Sequence, residues 1–131
     1  MVIDTSAIIA IPLGEAEAET FAKAISYDEK RLLSAFSALE ASVVIEARLG
    51  AAGKLALEQL LFSAKIEIVE MNEQQVQLAH EAWRKFGKGY HPAKLNLGDC
   101  CSYALAKYSG ESLLFKGNDF KQTDIKTAEF L

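Results

Sequence analysis

The sequence holds 131 residues, half of them apolar and 24% charged, with 14 Lys and Arg against 18 Asp and Glu for a net charge of −4. That size suits a single domain over residues 1–131, and its supply of Leu, Ile, Val and aromatics at modest net charge excludes intrinsic disorder. The acidic balance argues against coating nucleic acid by charge alone, adjacent Cys100 and Cys101 suit neither a disulfide nor a zinc site, and no charged leader precedes an apolar run, so a cytoplasmic protein without membrane spans is expected.

Short apolar runs alternate with longer amphipathic ones, the rhythm of an α/β fold with a mostly parallel sheet. Val2-Ile3 reads as a short strand ending at Asp4, followed by a helix start at Thr5 to Ala10 that Pro12 and Gly14 interrupt. Glu15 to about Ser26 reads as a helix with Ala18, Phe21, Ala22 and Ile25 on one face. Arg31 to Ala35 reads as a second strand, and Ser37 with Glu40 matches a capping box opening a helix to about Gly50. Lys54 to Ala64 predicts a further helix, Lys65 to Val69 a third strand, and Glu73 to Phe86 a long helix with Val76, Ala79, His80 and Trp83 on its packed side. After a loop to Asn96, a helix should bury Leu97, Cys100, Cys101, Ala104, Leu105 and Tyr108. Ser112 to Phe115 is the fourth strand, Lys116 to Asp119 a turn, and Ile125 to Phe130 either an edge strand or a docked tail.

Ligands in an open parallel sheet bind outside the carboxyl ends of its strands. Asp4 after the first strand, Glu40 in the first turn of the helix after the second, Asp99 in the first turn of the helix before the fourth, and Asp119 after the fourth are therefore the acids to weigh. Each has a plain structural alternative: Asp4 as a helix cap, Glu40 as partner of Ser37, Asp99 balancing a helix N-terminus with Asn96 as its cap, and Asp119 as a turn residue. Two carboxylates about 4 Å apart repel by about 4 kcal/mol at an effective dielectric of 20, so such a cluster calls for protons or a cation. All-oxygen donors suit Mg2+ or Mn2+, and such an ion activates water against phosphodiesters.

The segments Met1-Val2-Ile3-Asp4-Thr5-Ser6-Ala7, Ser34-Ala35-Phe36-Ser37-Ala38-Leu39-Glu40-Ala41, Asn96-Leu97-Gly98-Asp99-Cys100 and Leu113-Leu114-Phe115-Lys116-Gly117-Asn118-Asp119-Phe120 resemble the successive motifs of PIN-domain ribonucleases, specifically the VapC toxins of toxin–antitoxin pairs. The resemblance implies a three-layer α/β/α sandwich with four to five central strands and an Mg2+- or Mn2+-dependent endoribonuclease. It implies Asp4 and Asp99 as the main metal ligands, Glu40 supporting the metal or its water, Asp119 completing the quartet, and Ser6 bonding Asp4 or a water. It also implies a homodimer and a VapB-like antitoxin. Many relatives place the fourth acid where this chain has Gly117, so Asn118 stands beside Asp119 as an alternative oxygen ligand.

From Ala82 to Gly98 the chain has no acid, while Arg84, Lys85, Lys88 and Lys94 suit phosphates and Trp83, Phe86 and Tyr90 suit stacked bases. The competing assignment puts Trp83 in the core and the cations at a helix C-terminus. His80, on the packed side of its helix, reads as a core or boundary residue, His91 as a loop residue, and the cysteines as buried rather than nucleophilic.

An aspartate after the first strand also suits a haloacid-dehalogenase-like phosphatase, but that class needs a second aspartate where Ser6 stands. A response-regulator receiver, which Lys116 superficially suits, needs one after the third strand, where the chain reads Ile68-Val69-Glu70-Met71. Gly117 leaves a further alternative, a catalytically degenerate PIN module that only engages an antitoxin-like partner. No motif names the RNA.

Overall fold

The computed structural model describes residues 1–129. Strands β1 (Val2–Ile3), β2 (Leu32–Ser34), β3 (Glu67–Val69) and β4 (Leu113–Leu114) pair in the order β3-β2-β1-β4, all parallel. Helices α1 (Thr5–Ala10), α2 (Ala18–Tyr27), α3 (Ala35–Ser63), α4 (Glu73–Phe86) and α5 (Leu97–Ser109) supply the crossovers that parallel neighbours require. Successive strand residues point to opposite faces, and the two cores follow from that period. Ile3, Leu33 and Leu114 join Ile8, Phe21, Ile25, Ile45 and Leu57 beneath α1, α2 and α3. Val2, Leu32 and Leu113 join Ala79, Cys100, Tyr103 and Leu105 beneath α4 and α5. This is the expected three-layer α/β/α sandwich.

Several local expectations shift. Helix α2 starts at Ala18 because turns occupy Ile11 to Glu17, and it buries Phe21, Ala24 and Ile25 rather than Ala22. The break expected at Gly50 is present: α3 spans both segments, but Gly50 leaves the helical region at φ 71° and ψ −165°, a conformation open to a residue without Cβ, and kinks the helix there. The Ser37–Glu40 capping box does not form: α3 begins earlier, with Ser34 at the N-cap making no side-chain cap bond. Helix α4 turns Gln75, Ala79 and Ala82 inward, so Val76, His80 and Trp83 stay exposed, Trp83 at 39%. The small alanines allow α5 to pack closely against it. Helix α5 is therefore buried nearly all round from Gly98 to Ala106, whereas Leu97 is 67% exposed and Tyr108 also faces solvent.

At the far edge, Thr127 makes a single parallel bridge beside Leu113, and Ile125 and Ala128 are buried, so the tail docks without extending into a strand; Phe130 lies outside the described residues. Asp124 ties this segment to α5, accepting from Tyr103 Oη at 2.6 Å and Lys107 Nζ at 3.1 Å. Burial pushes the Asp124 carboxyl up, but the bonds from Tyr103 and Lys107 outweigh it and hold it below the ordinary carboxylate value. Its stabilisation is thus present above the ordinary Asp pKa and lost as pH falls through the lowered one. Asp124→Asn is expected to cost about 1 kcal/mol at neutral pH and progressively less in acid, read by urea denaturation across pH.

Candidate active site

Asp4 ends β1 and caps α1 from an extended conformation, φ −75° and ψ 157°. Its Oδ2 accepts from Ser6 N at 3.1 Å and Ser6 Oγ at 2.7 Å, while Oδ1 accepts from Ser102 Oγ at 2.6 Å. Ser6 Oγ accepts in turn from Lys116 N at 3.0 Å, which joins the first motif to the segment after β4. Only 4% of Asp4 is exposed, and these bonds offset the cost of burying it. The capping role expected as an alternative is real, and it uses one oxygen.

With no capping box to complete, the Glu40 carboxylate lies instead against the first turn of α5. A Cβ on Gly98 would stand 2.9 Å from Glu40 Oε1 and 3.1 Å from Oε2, so the absence of a side chain makes the room. The capping box of this region belongs to α5: Asn96 Oδ1 accepts from Asp99 N at 2.8 Å, and Asp99 Oδ2 accepts from Asn96 N at 3.0 Å. Burial raises the Asp99 carboxyl, the Asn96 bond lowers it, and the charges of Asp4, Asp119 and Glu40 raise it again, to about 6. Asp119 sits in an exposed turn after Gly117, whose φ of +100° would strain any carboxylate-bearing residue placed there. Asn118 occupies the same exposed turn, its backbone carbonyl accepting from Lys121 N.

The four acids thus come from four segments, and the other three act on Asp99 as like charges. Among the described residues, no three Asp, Glu, His or Cys side chains stand at cation-binding distance of one another. The donor chemistry nevertheless fits a hard divalent ion. Every candidate ligand is an oxygen donor, four carboxylates and the Asn118 amide, and the like-charge pressure on Asp99 is what a cation would relieve.

Arg84 and Lys85 lie in the last turn of α4, and Lys88 and Lys94 in the loop whose base is closed by a parallel bridge between Gly87 and Leu95. All four are exposed, and none forms an ion pair among the described residues. The loop runs directly into α5, so it stands at the end of that helix where Asp99 lies. Trp83 stacks with His80 and meets Tyr90 edge-on at 4.9 Å, outside the core in which it was expected; His80, expected at a packed position, is exposed with it. His91 accepts from Ala93 N through Nδ1 at 3.0 Å. Both cysteines are buried, and burial pushes their thiols up to about 11, away from the thiolate form a nucleophile uses. Sequence reading missed Ser102; its spacing of three from Asp99 on one helix was the available signal.

A family model of the PIN domain matches residues 1–126. The chain belongs to the PIN-domain family. Within it, the chain is 50% identical over 127 residues to Ribonuclease VapC30 of Mycobacterium tuberculosis, covering 97% of each. The PIN fold is shared with the crystal structure of Mycobacterium tuberculosis VapC20, a sarcin-ricin loop cleaving toxin, at a TM-score of 0.77 and 16% identity over 95% of both chains. A toxin–antitoxin complex from Klebsiella pneumoniae has the same PIN arrangement, with a TM-score of 0.71 at 17% identity, covering 94% of this chain and 92% of that one.

Proposed function

We propose that this PIN domain is a cytoplasmic, Mg2+- or Mn2+-dependent endoribonuclease, the toxin of a toxin–antitoxin pair. The observation that supports this reading is a largely buried Asp99 that feels Asp4, Asp119 and Glu40 as like charges, in a chain half identical to a VapC ribonuclease. The same likeness favours a working enzyme over a degenerate binding module.

A bound divalent ion supplies a water of lowered pKa and offsets charge on the phosphate. Asp4 and Asp99 would hold that ion. Ser6 keeps Asp4 turned by its two bonds to Oδ2, Glu40 beside Gly98 would orient the attacking water, and Asp119, or Asn118 as a neutral substitute, would complete the rim. Arg84, Lys85, Lys88 and Lys94 would bind RNA phosphates. Lys85→Glu with Lys88→Glu is expected to weaken RNA binding and reduce its salt slope by roughly two phosphate contacts. Unchanged affinity and slope would remove this loop from the RNA path.

Family membership also supports two protein partners, a second copy of the chain and a VapB-like antitoxin. Val76, Trp83 and Leu97 line a groove of about 420 Å3 that shares Cys100 and Cys101 with the helix bearing Asp99. The helices of the described residues include none long and apolar enough to cross a membrane.

The test is cleavage of structured RNAs by antitoxin-free protein with Mg2+ or Mn2+ against EDTA, beside Asp4→Asn. Metal-dependent cuts that leave 5′-phosphate and 3′-hydroxyl ends and vanish in the variant are expected. Ends bearing 2′,3′-cyclic phosphate would overturn the hydrolytic mechanism, since they mark attack by the ribose hydroxyl.

A further inference from the structure

Two hydroxyls lie wholly inside the protein behind the acidic cleft, on helices whose motifs give no reason for them. Ser37 on α3 and Ser102 on α5 both have no exposed surface, and their Oγ atoms are 3.2 Å apart. Ser102 Oγ also stands 2.6 Å from Asp4 Oδ1. A hydroxyl has one proton, and a carboxylate is the stronger acceptor, so Ser102 donates to Asp4. Ser37 must then be the donor to Ser102. The chain of bonds therefore has one direction, from α3 through α5 to the end of β1, and each donor strengthens the next.

Its effect on Asp4 can be counted. An ionised carboxylate offers about four lone-pair sites. Two on Oδ2 are taken by Ser6, and one on Oδ1 by Ser102, which leaves a single acceptor position, on Oδ1. Ser102 also lies one helical turn from Asp99, on the same side of α5. Helix α5 thus carries one carboxylate of the cleft and grips the other. The separation of Asp4 from Asp99 becomes a property of one rigid element, held against the mutual repulsion that would swing Asp4 away.

We propose that Ser102, braced by Ser37, is a positioning residue that fixes Asp4 Oδ1 relative to Asp99 and thereby sets divalent-cation affinity. This rests on the metal-dependent reading above. The test is calorimetric titration of the full chain with MnCl2, comparing the unaltered protein, Asp4→Asn, Ser102→Ala, Ser37→Ala and the double serine variant, with circular dichroism to verify folding. Asp4→Asn should lose binding, Ser102→Ala should weaken it about tenfold, and Ser37→Ala roughly threefold. The double variant should match Ser102→Ala, because Ser37 acts only through Ser102. If Ser102→Ala does not fold, Ser37→Ala decides, since it keeps the Ser102 hydroxyl. A lower melting temperature with Mn2+ affinity unchanged in the serine variants, while Asp4→Asn has lost it, overturns the proposal and leaves the metal reading intact. Failure of the unaltered protein to bind Mn2+ overturns both.

Discussion

Asp99→Asn is expected to lower RNA cleavage about a hundredfold or more while making the metal-free protein more stable. The two effects share one cause. Burial, with Asp4, Asp119 and Glu40 as like charges, holds the Asp99 carboxyl at about 6 against an ordinary 3.8. Across that window the folded state binds more protons than the unfolded one, so stability falls as pH rises, and the full penalty is present at neutral pH. A shift of this size corresponds to about 3 kcal/mol, and partial exposure reduces the expected gain from neutralising the group to about 1–2 kcal/mol. The substituted amide retains an oxygen to accept from Asn96 N, so the helix cap survives. Thermal denaturation in EDTA at pH 7 and near the ordinary carboxylate pKa checks this: the variant should melt higher at the first and match the parent at the second. Equal melting at pH 7 would mean that neither burial nor the charges of Asp4, Asp119 and Glu40 penalise the Asp99 carboxylate.

Gly98→Ala should separate activity from stability in another way. Alanine favours a helix over glycine by about 1 kcal/mol, so the fold should be unharmed. The new Cβ would meet Glu40 Oε1 at 2.9 Å and Phe36 Cε1 at 3.2 Å, and the carboxylate, at the end of a flexible side chain, is the group that yields. Cleavage is expected to fall about tenfold to a hundredfold from that displacement. Adding Gly98→Ala to Glu40→Ala should cost nothing further; an additive loss in single-turnover rates would show that Gly98 acts by some route other than Glu40.

Much of this site was legible before any coordinates. The strands announced themselves as short apolar runs; Asp4 and Asp119 followed such runs while Glu40 and Asp99 stood in first turns of the crossover helices, and helix starts and strand ends meet at the same side of a parallel sheet. What misled was local pattern detached from register. Ser37 and Glu40 have the spacing of a capping box, but the helix had begun at Ala35, and once inside it Ser37 turned inward to meet Ser102. The face expected for α5 is buried at Cys100, Cys101, Ala104 and Leu105 and exposed at Leu97 and Tyr108, and because sheet, α4 and α3 enclose most of the helix, Ser102 and Tyr103 are buried as well. Trp83 was placed on the packed face of α4 by its helical spacing with Val76, Ala79 and His80; of these only Ala79 is buried, and Gln75 and Ala82 complete the packed side. Gly117 looked like a missing ligand and is, in backbone terms, the turn that delivers Asp119.

The distances in sequence across the cleft bear on when it can exist. Asp4 is fastened by Ser102, 98 residues on, and Ser6 by Lys116, 110 residues on. The strand β1 that carries Asp4 completes its pairing only with β4, the last strand formed. Contacts so remote close late. A ribosome-bound chain therefore carries its first acid for nearly the whole of its synthesis without a cleft around it. For the metal-dependent nuclease proposed above, the cleft would then be complete only once the final quarter of the chain is free to fold.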